Sequence, residues 1–350
     1  MRVLVFVTFY YAMFGYPWLR LLDQLAPHLA LHGLTILAFL VGPAALWMLS
    51  RRLASPRRYW IARLVYVWLG ASWLLLSLSL LWELIYLALP LHQNTSALVL
   101  IGVHLVLVSY ACVNANRFDI RTVRLRSNKL TSPLRILQLS DVHVGSRSPI
   151  FLARVVAAAQ ACKADLILIT GDLIDGHGVK QSELAALGQL APHCYFAIGN
   201  HERYVDCDEI CARLTALGVH VLRNATTPIQ VNGNEITLLG IDDADDPQQV
   251  AQVLPSLTHS ASDYSILLYH RPDGLEDAAS HDIDLMLCGH THNGQMVPFN
   301  FLVKRRFPRI RGLYWHINTA LYVSAGTGTW GPPMRLGSVN ELTILELEPA

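Results

Sequence analysis

Five apolar runs in the C-terminal two-thirds of this chain each end on residues that can ligate a metal. Leu134–Ser140 runs into Asp141-Val142-His143, and Leu166–Thr170 into Gly171-Asp172. Tyr195–Ile198 leads to Gly199-Asn200-His201-Glu202, Ser265–Tyr269 to His270, and Ile283–Cys288 to Gly289-His290-Thr291-His292. Short apolar runs bounded by turn residues are the pattern of buried strands. A sheet that holds such strands side by side presents their Asp, His and Asn residues along one edge, so sequence-distant side chains can gather around a metal. Between and after these runs the sequence predicts helices over Ile150–Cys162, Gln181–Leu190, Asp206–Leu217, Gln248–Leu254 and Gly274–Ala279. Further strands are predicted over Val219–Leu222, Glu235–Ile241, Leu321–Ser324 and Leu342–Leu347. Strand–helix alternation followed by clustered strands points to an α/β fold of two sheets packed face to face, with helices outside.

Composition matters for the first third. Hydrophobic residues make up 53% and charged residues 15% of the 350, too apolar for an ordinary soluble protein and too polar for a polytopic transporter. The excess lies before Arg117. Leu29–Leu49, Leu64–Leu89 and Ala97–Val113 have the length a helix needs to cross about 30 Å of hydrocarbon, and Val3–Leu19 is a weaker fourth. The expected organisation is a transmembrane anchor of about four helices over residues 1–116, spanning near 3–19, 29–49, 64–89 and 97–113, then a catalytic domain over 117–350. Arg51, Arg52, Arg57, Arg58 and Arg63 fill one connector, and Arg117, Arg121, Arg124, Arg126 and Lys129 follow the last span, whereas Pro90–Ser96 holds no Lys or Arg. Positive-inside bias then places both termini and the domain in the cytoplasm, on an inner or plasma membrane. Glu83, His32 and His104 are too few for a transport path, so anchoring is the expected role of the spans. A net charge of +1 excludes a globally basic nucleic-acid binder, and the six cysteines follow no disulfide framework.

The series Asp-x-His, Gly-Asp, Gly-Asn-His-Glu, His and Gly-His-x-His, in this order across Asp141–His292, resembles the calcineurin-like metallophosphoesterase superfamily. Tyr322-Val-Ser-Ala-Gly-Thr-Gly-Thr, with Pro333 and Arg335 beyond, and the extended Gly289-His-Thr-His-Asn-Gly-Gln look like its membrane-anchored YkuE/YaeI-like branch. The resemblance covers roughly residues 130–348 and implies a four-layer α/β/β/α sandwich. It also implies two divalent metal ions bridged by Asp172. Asp141, His143 and His292 would complete one site; Asn200, His270 and His290 would complete the other. Imidazoles and carboxylates suit Mn, with Fe or Zn as alternatives, and no thiolate is required. The implied reaction is hydrolysis of a phosphoester or phosphoanhydride by hydroxide held between the ions. By the same resemblance His201 protonates the leaving group. Glu202 would either orient that imidazole or hold the loop.

Outside this series, His177, His193, His220, His259 and His281 read as ordinary surface or loop residues, and Asp242, Asp243, Asp245 and Asp246 as a solvated turn. Phe299–Trp315 interleaves aromatics with Lys304, Arg305, Arg306, Arg309 and Arg311. Such a segment suits an anionic membrane face or a substrate phosphate, and Lys304, Arg305, Arg306 and Arg309 are the candidate substrate-binding residues. The expected partners are a membrane and a phosphorylated, lipid-linked substrate, with no nucleic acid. The alternatives are a soluble nucleotide or phosphoprotein as substrate and, from another class, a non-catalytic metal-binding sensor or scaffold.

Overall fold

The computed structural model describes residues 10–25, 32–53, 57–89 and 93–350, without the side chains of 32, 35–40 and 93–95. The chain divides into two compact units, Met1–Ala115 with Gly331–Leu336, and Asn116–Trp330 with Gly337–Ala350.

The first unit is helical, with α1 (Tyr16–Leu25), α2 (His32–Ser50), α3 (Arg57–Ala88) and α4 (Gln93–Asn114). Leu21, Leu75, Ala97 and Leu100 form its small core, and Arg20 pairs with Glu83 at 2.7 Å. Much of the outer surface of α3 and α4 is apolar, including Leu84, Leu87, Leu98, Leu105 and Val106. Among the described residues, two helical stretches, Arg57–Ala88 and Ser96–Asn114, are long and apolar enough to cross a membrane. They correspond to the expected spans near 64–89 and 97–113. Of the expected spans near 3–19 and 29–49, residues 3–9 and 29–31 lie outside the described residues.

The second unit holds two mixed six-stranded sheets. The first has the order β1 (Phe118–Ser127), β12 (Asn340–Pro349), β2 (Leu134–Leu139), β3 (Leu166–Thr170), β4 (Cys194–Ala197), β5 (His220–Leu222). The second has the order β10 (Gly312–His316), β11 (Thr319–Val323), β9 (Leu285–Cys288), β8 (Tyr264–Tyr269), β7 (Asn234–Ile241), β6 (Ala225–Val231). In both, the strands that carry the ligand motifs run parallel: β2, β3 and β4 in one, β8 and β9 in the other. Parallel neighbours share one carboxyl edge, where α/β sheets bind ligands.

Alternation along each strand builds three cores. Ile136, Leu166 and Leu168 from one sheet meet Leu238, Ile266 and Leu285 from the other in a shared core between the sheets. Leu137, Leu139, Ile167 and Ile169 point the opposite way, onto helices α5 (Pro149–Ala161) and α8 (Cys207–Ala216). Leu239, Leu267 and Met286 do the same on the second sheet, against α9 (Gln249–Val253) and α10 (Leu275–Ser280). Helix α5 starts where its sequence directs: Ser148 caps Phe151 N–H and Pro149 fills the first turn.

Several expectations change. Gln181–Leu190 is a short α-turn, α6 (Gln181–Leu184), followed by a 3-10 turn over Ala185–Leu190. The segment after His292 contains the helix α11 (Phe299–Arg306) and strand β10. Arg121, Arg124 and Arg126, after the last span, lie on β1, which pairs in parallel with β12. There Arg124 meets Glu346 at 3.0 Å and Arg126 meets Glu348 at 3.3 Å. The acidic run is only partly solvated, because Asp242 and Asp243 are buried. Arg271 pairs with both Asp243 and Asp245 at 2.6 Å, and Asp243 N–H donates to Ile198 C=O, tying this turn to β4.

Candidate metal centre

The predicted ligands lie one to four residues beyond the ends of their strands, and the backbone turns sharply there. Asp141, His143, Asp172, His290 and His292, five of the seven predicted ligands, have φ between 49° and 69°. Left-handed backbone is costly for residues with a Cβ and is kept where the surroundings over-determine it. Here the surroundings are backbone hydrogen bonds. Asp141 N–H donates to Gly171 C=O and His143 N–H to Asp172 C=O. Thr327 and Gly328 N–H donate to the carbonyls of Ser140 and Asp141, which gives the late Gly-Thr-Gly-Thr stretch its place beside the first motif. Gly289 is required by contact: a Cβ there would meet Ser140 Oγ at 1.9 Å and Asp141 Oδ2 at 2.3 Å.

The ligand side chains converge. Asp172 Oδ2 lies 3.0 Å from His270 Nε2, 3.9 Å from His143 Nε2 and 4.0 Å from His201 Nε2. Asp141 Oδ1 is 3.3 Å from His292 Nε2 and 4.0 Å from both His143 Nε2 and His270 Nε2. Three groups of possible ligand atoms result among the described residues: Asp141, His143 and His292; Asp172, His270 and His290; and His143, Asp175 and His201. Two polar ties between the sheets hold these groups in register. His270 Nδ1 is 2.8 Å from Thr170 C=O, and buried Gln138 donates to Cys288 C=O at 2.9 Å.

The donor set fits divalent cations. His143 Nε2 is 3.0 Å from His292 Nε2, and His290 Nδ1 is 3.2 Å from His270 Nε2. Only one proton can sit between each nitrogen pair, so lone pairs otherwise face one another with nothing between. Asn200 Oδ1 is buried with no hydrogen-bond partner among the described residues, an orphan acceptor of the kind a cation would satisfy.

Three residues that sequence reasoning passed over support the array. Asp175 Oδ2 is 3.2 Å from His143 Nδ1, close enough for its charge to favour the protonated ring, and no local signal in the sequence marks it. Ser140 Oγ donates to Asp141 Oδ2 at 2.6 Å. Gln138 is the third. Glu202 holds the loop: its carboxylate accepts from the N–H groups of Asp172, Ile174 and Gly199 at 2.8–3.0 Å.

The four candidate basic residues divide. Arg309 is paired with Glu276, and Arg306 lies 3.6 Å from Asp273. Lys304 and Arg305 are exposed on α11 beside exposed Phe301 and Leu302. The link from this segment to the ligands is Phe307, whose ring sits edge-on to His290 at 4.9 Å.

Residues 134–294 match the calcineurin-like phosphoesterase family. An uncharacterized metallophosphoesterase of Helicobacter pylori strain J99 is 36% identical over 243 residues, 67% of this chain and 65% of that protein. A transmembrane protein with metallophosphoesterase domain from Danio rerio is 32% identical over 282 residues, 74% of this chain and 63% of its own length. Phosphodiesterase YaeI of Escherichia coli K12 is 32% identical over 232 residues, 62% of this chain and 83% of that protein. The chain belongs to the calcineurin-like phosphoesterases.

The chain spans less than two thirds of the length of the Helicobacter pylori and Danio rerio relatives, and members of the family typically bind divalent metals. The electrostatics of the site suit cation binding. Burial works to raise the Asp172 carboxyl, but the His270 imidazolium outweighs it and holds Asp172 well below its ordinary range. Burial pushes Asp141 up, with the Asp172 charge adding to it. Burial alone would lower His270, yet Asp172 and Asp141 carry it to about 10. A proton on His270 thus does part of the charge balancing that a cation would do, and a cation binding there must displace it.

Proposed function

We propose that this chain is a membrane-anchored, two-cation phosphoesterase acting on a lipid-linked phosphoester or phosphoanhydride. The observation that carries the catalytic part is the place of Asp172, whose Oδ2 is within 4.0 Å of ring nitrogens from His143, His201 and His270. In this reading Asp141, His143, His292 and Asp172 hold one cation, and Asp172, Asn200, His270 and His290 hold the second. Two divalent ions, manganese in the first instance with iron or zinc as alternatives, supply charge that polarises a phosphoryl group and lowers the pKa of water. His201 donates the proton that the leaving oxygen requires. Burial pushes its imidazole below the ordinary value, and an arriving phosphate anion favours its protonated form.

The anchor in this reading has four spans, near 3–19, 29–49, 64–89 and 97–113, with the phosphoesterase domain over 117–350 facing the cytoplasm of an inner or plasma membrane. Support comes from the apolar outer faces of α3 and α4, the arginines of the 51–63 connector, and the transmembrane character in the name of the Danio rerio relative. Exposed Phe301 and Leu302 beside Lys304 and Arg305 suit an anionic headgroup layer, and Phe307 joins that segment to His290. Arg306 and Arg309, held by Asp273 and Glu276, anchor the segment.

The test uses the full chain in lipid. Chelation should abolish hydrolysis of an aryl phosphodiester and Mn²⁺ should restore it. Lys304→Gln with Arg305→Gln should lower hydrolysis of a lipid-linked phosphate in anionic vesicles several-fold and leave the soluble diester unchanged. Equal losses on both substrates, or none on either, would remove the lipid part of the reading.

A further inference from the structure

We propose that Tyr204 and Trp330 form an aromatic platform beside His201 that selects phosphoesters whose leaving group carries a flat π face. The inference rests on the reading that His201 meets the leaving-group oxygen, and it adds the chemistry of what that oxygen is attached to.

The Tyr204 ring lies 5.6 Å from the His201 ring and the Trp330 ring 6.2 Å from it, at interplanar angles of 77° and 60°. Tyr204 is 60% exposed and Trp330 52% exposed. Large aromatic rings gain by burial or by stacking, so two exposed ones at the rim of a buried polar array are placed for a ligand.

Their positions are built in. Tyr204 follows His201 by three residues on α7 (Asn200–Tyr204), the spacing that brings two helical side chains to one face. The Trp330 backbone is gripped on both its polar groups. Gln295, itself buried, donates from Nε2 to Trp330 C=O at 3.0 Å and accepts Trp330 N–H at 2.9 Å on Oε1. Gln295 is reached directly from the turn over His292–Gly294, and its N–H donates to His292 C=O. One short stretch thus supplies a candidate ligand and fixes an aromatic residue beside the proton donor. The segment around Lys304 and Arg305 is a different element, so the platform is independent of any headgroup contact.

The experiment is a binding measurement on the full Mn²⁺-loaded chain in detergent. Benzylphosphonate and cyclohexylmethylphosphonate carry a CH₂ in place of the bridging oxygen and differ mainly in the flatness of the ring. Calorimetry should show the benzyl compound bound about three- to tenfold tighter. Trp330→Ala and Tyr204→Ala should each shrink that ratio toward one with manganese content unchanged, and Trp330→Phe should keep most of it. Equal affinity for the two probes in the unmodified protein, no binding of either, or a preference that survives both alanine variants would overturn the proposal. A preference that depends on the two rings in a protein that hydrolyses no phosphoester supports the platform and removes the phosphoesterase reading instead.

Discussion

Glu202 follows His201 directly, yet its carboxylate turns away from the rim and gathers three backbone N–H groups from two loops. Burial pushes it up to about 7, with the Asp172 charge adding to the rise. Glu202→Gln keeps the size but sets an amide NH₂ against backbone donors. We expect a loss of about 1–3 kcal/mol, read as a lower urea midpoint at unchanged slope; an unaltered midpoint would show that the loop is held elsewhere. His201 is the opposite case, a residue at the rim with no backbone to support. His201→Ala should keep both metals and lose about 10²–10⁴ in rate on alkoxide leaving groups. The loss should be much smaller for nitrophenolate, which needs little protonation, and equal losses on both would exclude the acid role. The seven ligand candidates could be read from sequence because they follow five apolar runs, each closing on one or two of them. Asp175 and Ser140 could not, since what marks them is their distance to His143 and Asp141, and nothing local in the chain encodes it.

At the scale of elements, the strand ends carry the geometry, and the close approach of Gly289 to Ser140 and Asp141 is its tightest point. Gly289→Ala must push the β2 and β9 ends apart, because both neighbours belong to a packed strand end. The expected outcome is a chain that folds but binds fewer than two ions, seen as normal circular dichroism with reduced metal content. Full metal content would mean that the two strand ends can separate without cost. The strands that sequence reasoning found are those with continuous apolar runs. Strand β1 was hidden because its alternating arginines are matched only by Glu346 and Glu348 on β12, at the far end of the chain. Strands β6 and β10 lie at sheet edges, where half-exposed positions blur the period of two. The pairing of Arg306 and Arg309 was hidden for the same reason as β1: their acidic partners come from another element.

At the scale of the whole molecule, the chain joins a helical unit with apolar outer faces to a phosphoesterase unit. The proposed topology predicts that a cytoplasm-dependent reporter fused after Ala350 is active and an export-dependent one silent; the reverse would place the phosphoesterase on the other side of the membrane. The central claim is that two cations share Asp172. Metal content and turnover measured together on the unmodified chain and on Asp172→Asn test it most directly. Two ions per chain with turnover of an aryl phosphodiester are expected in the former, and fewer than two ions with no measurable turnover in the latter. Two ions retained with normal turnover in Asp172→Asn would contradict it.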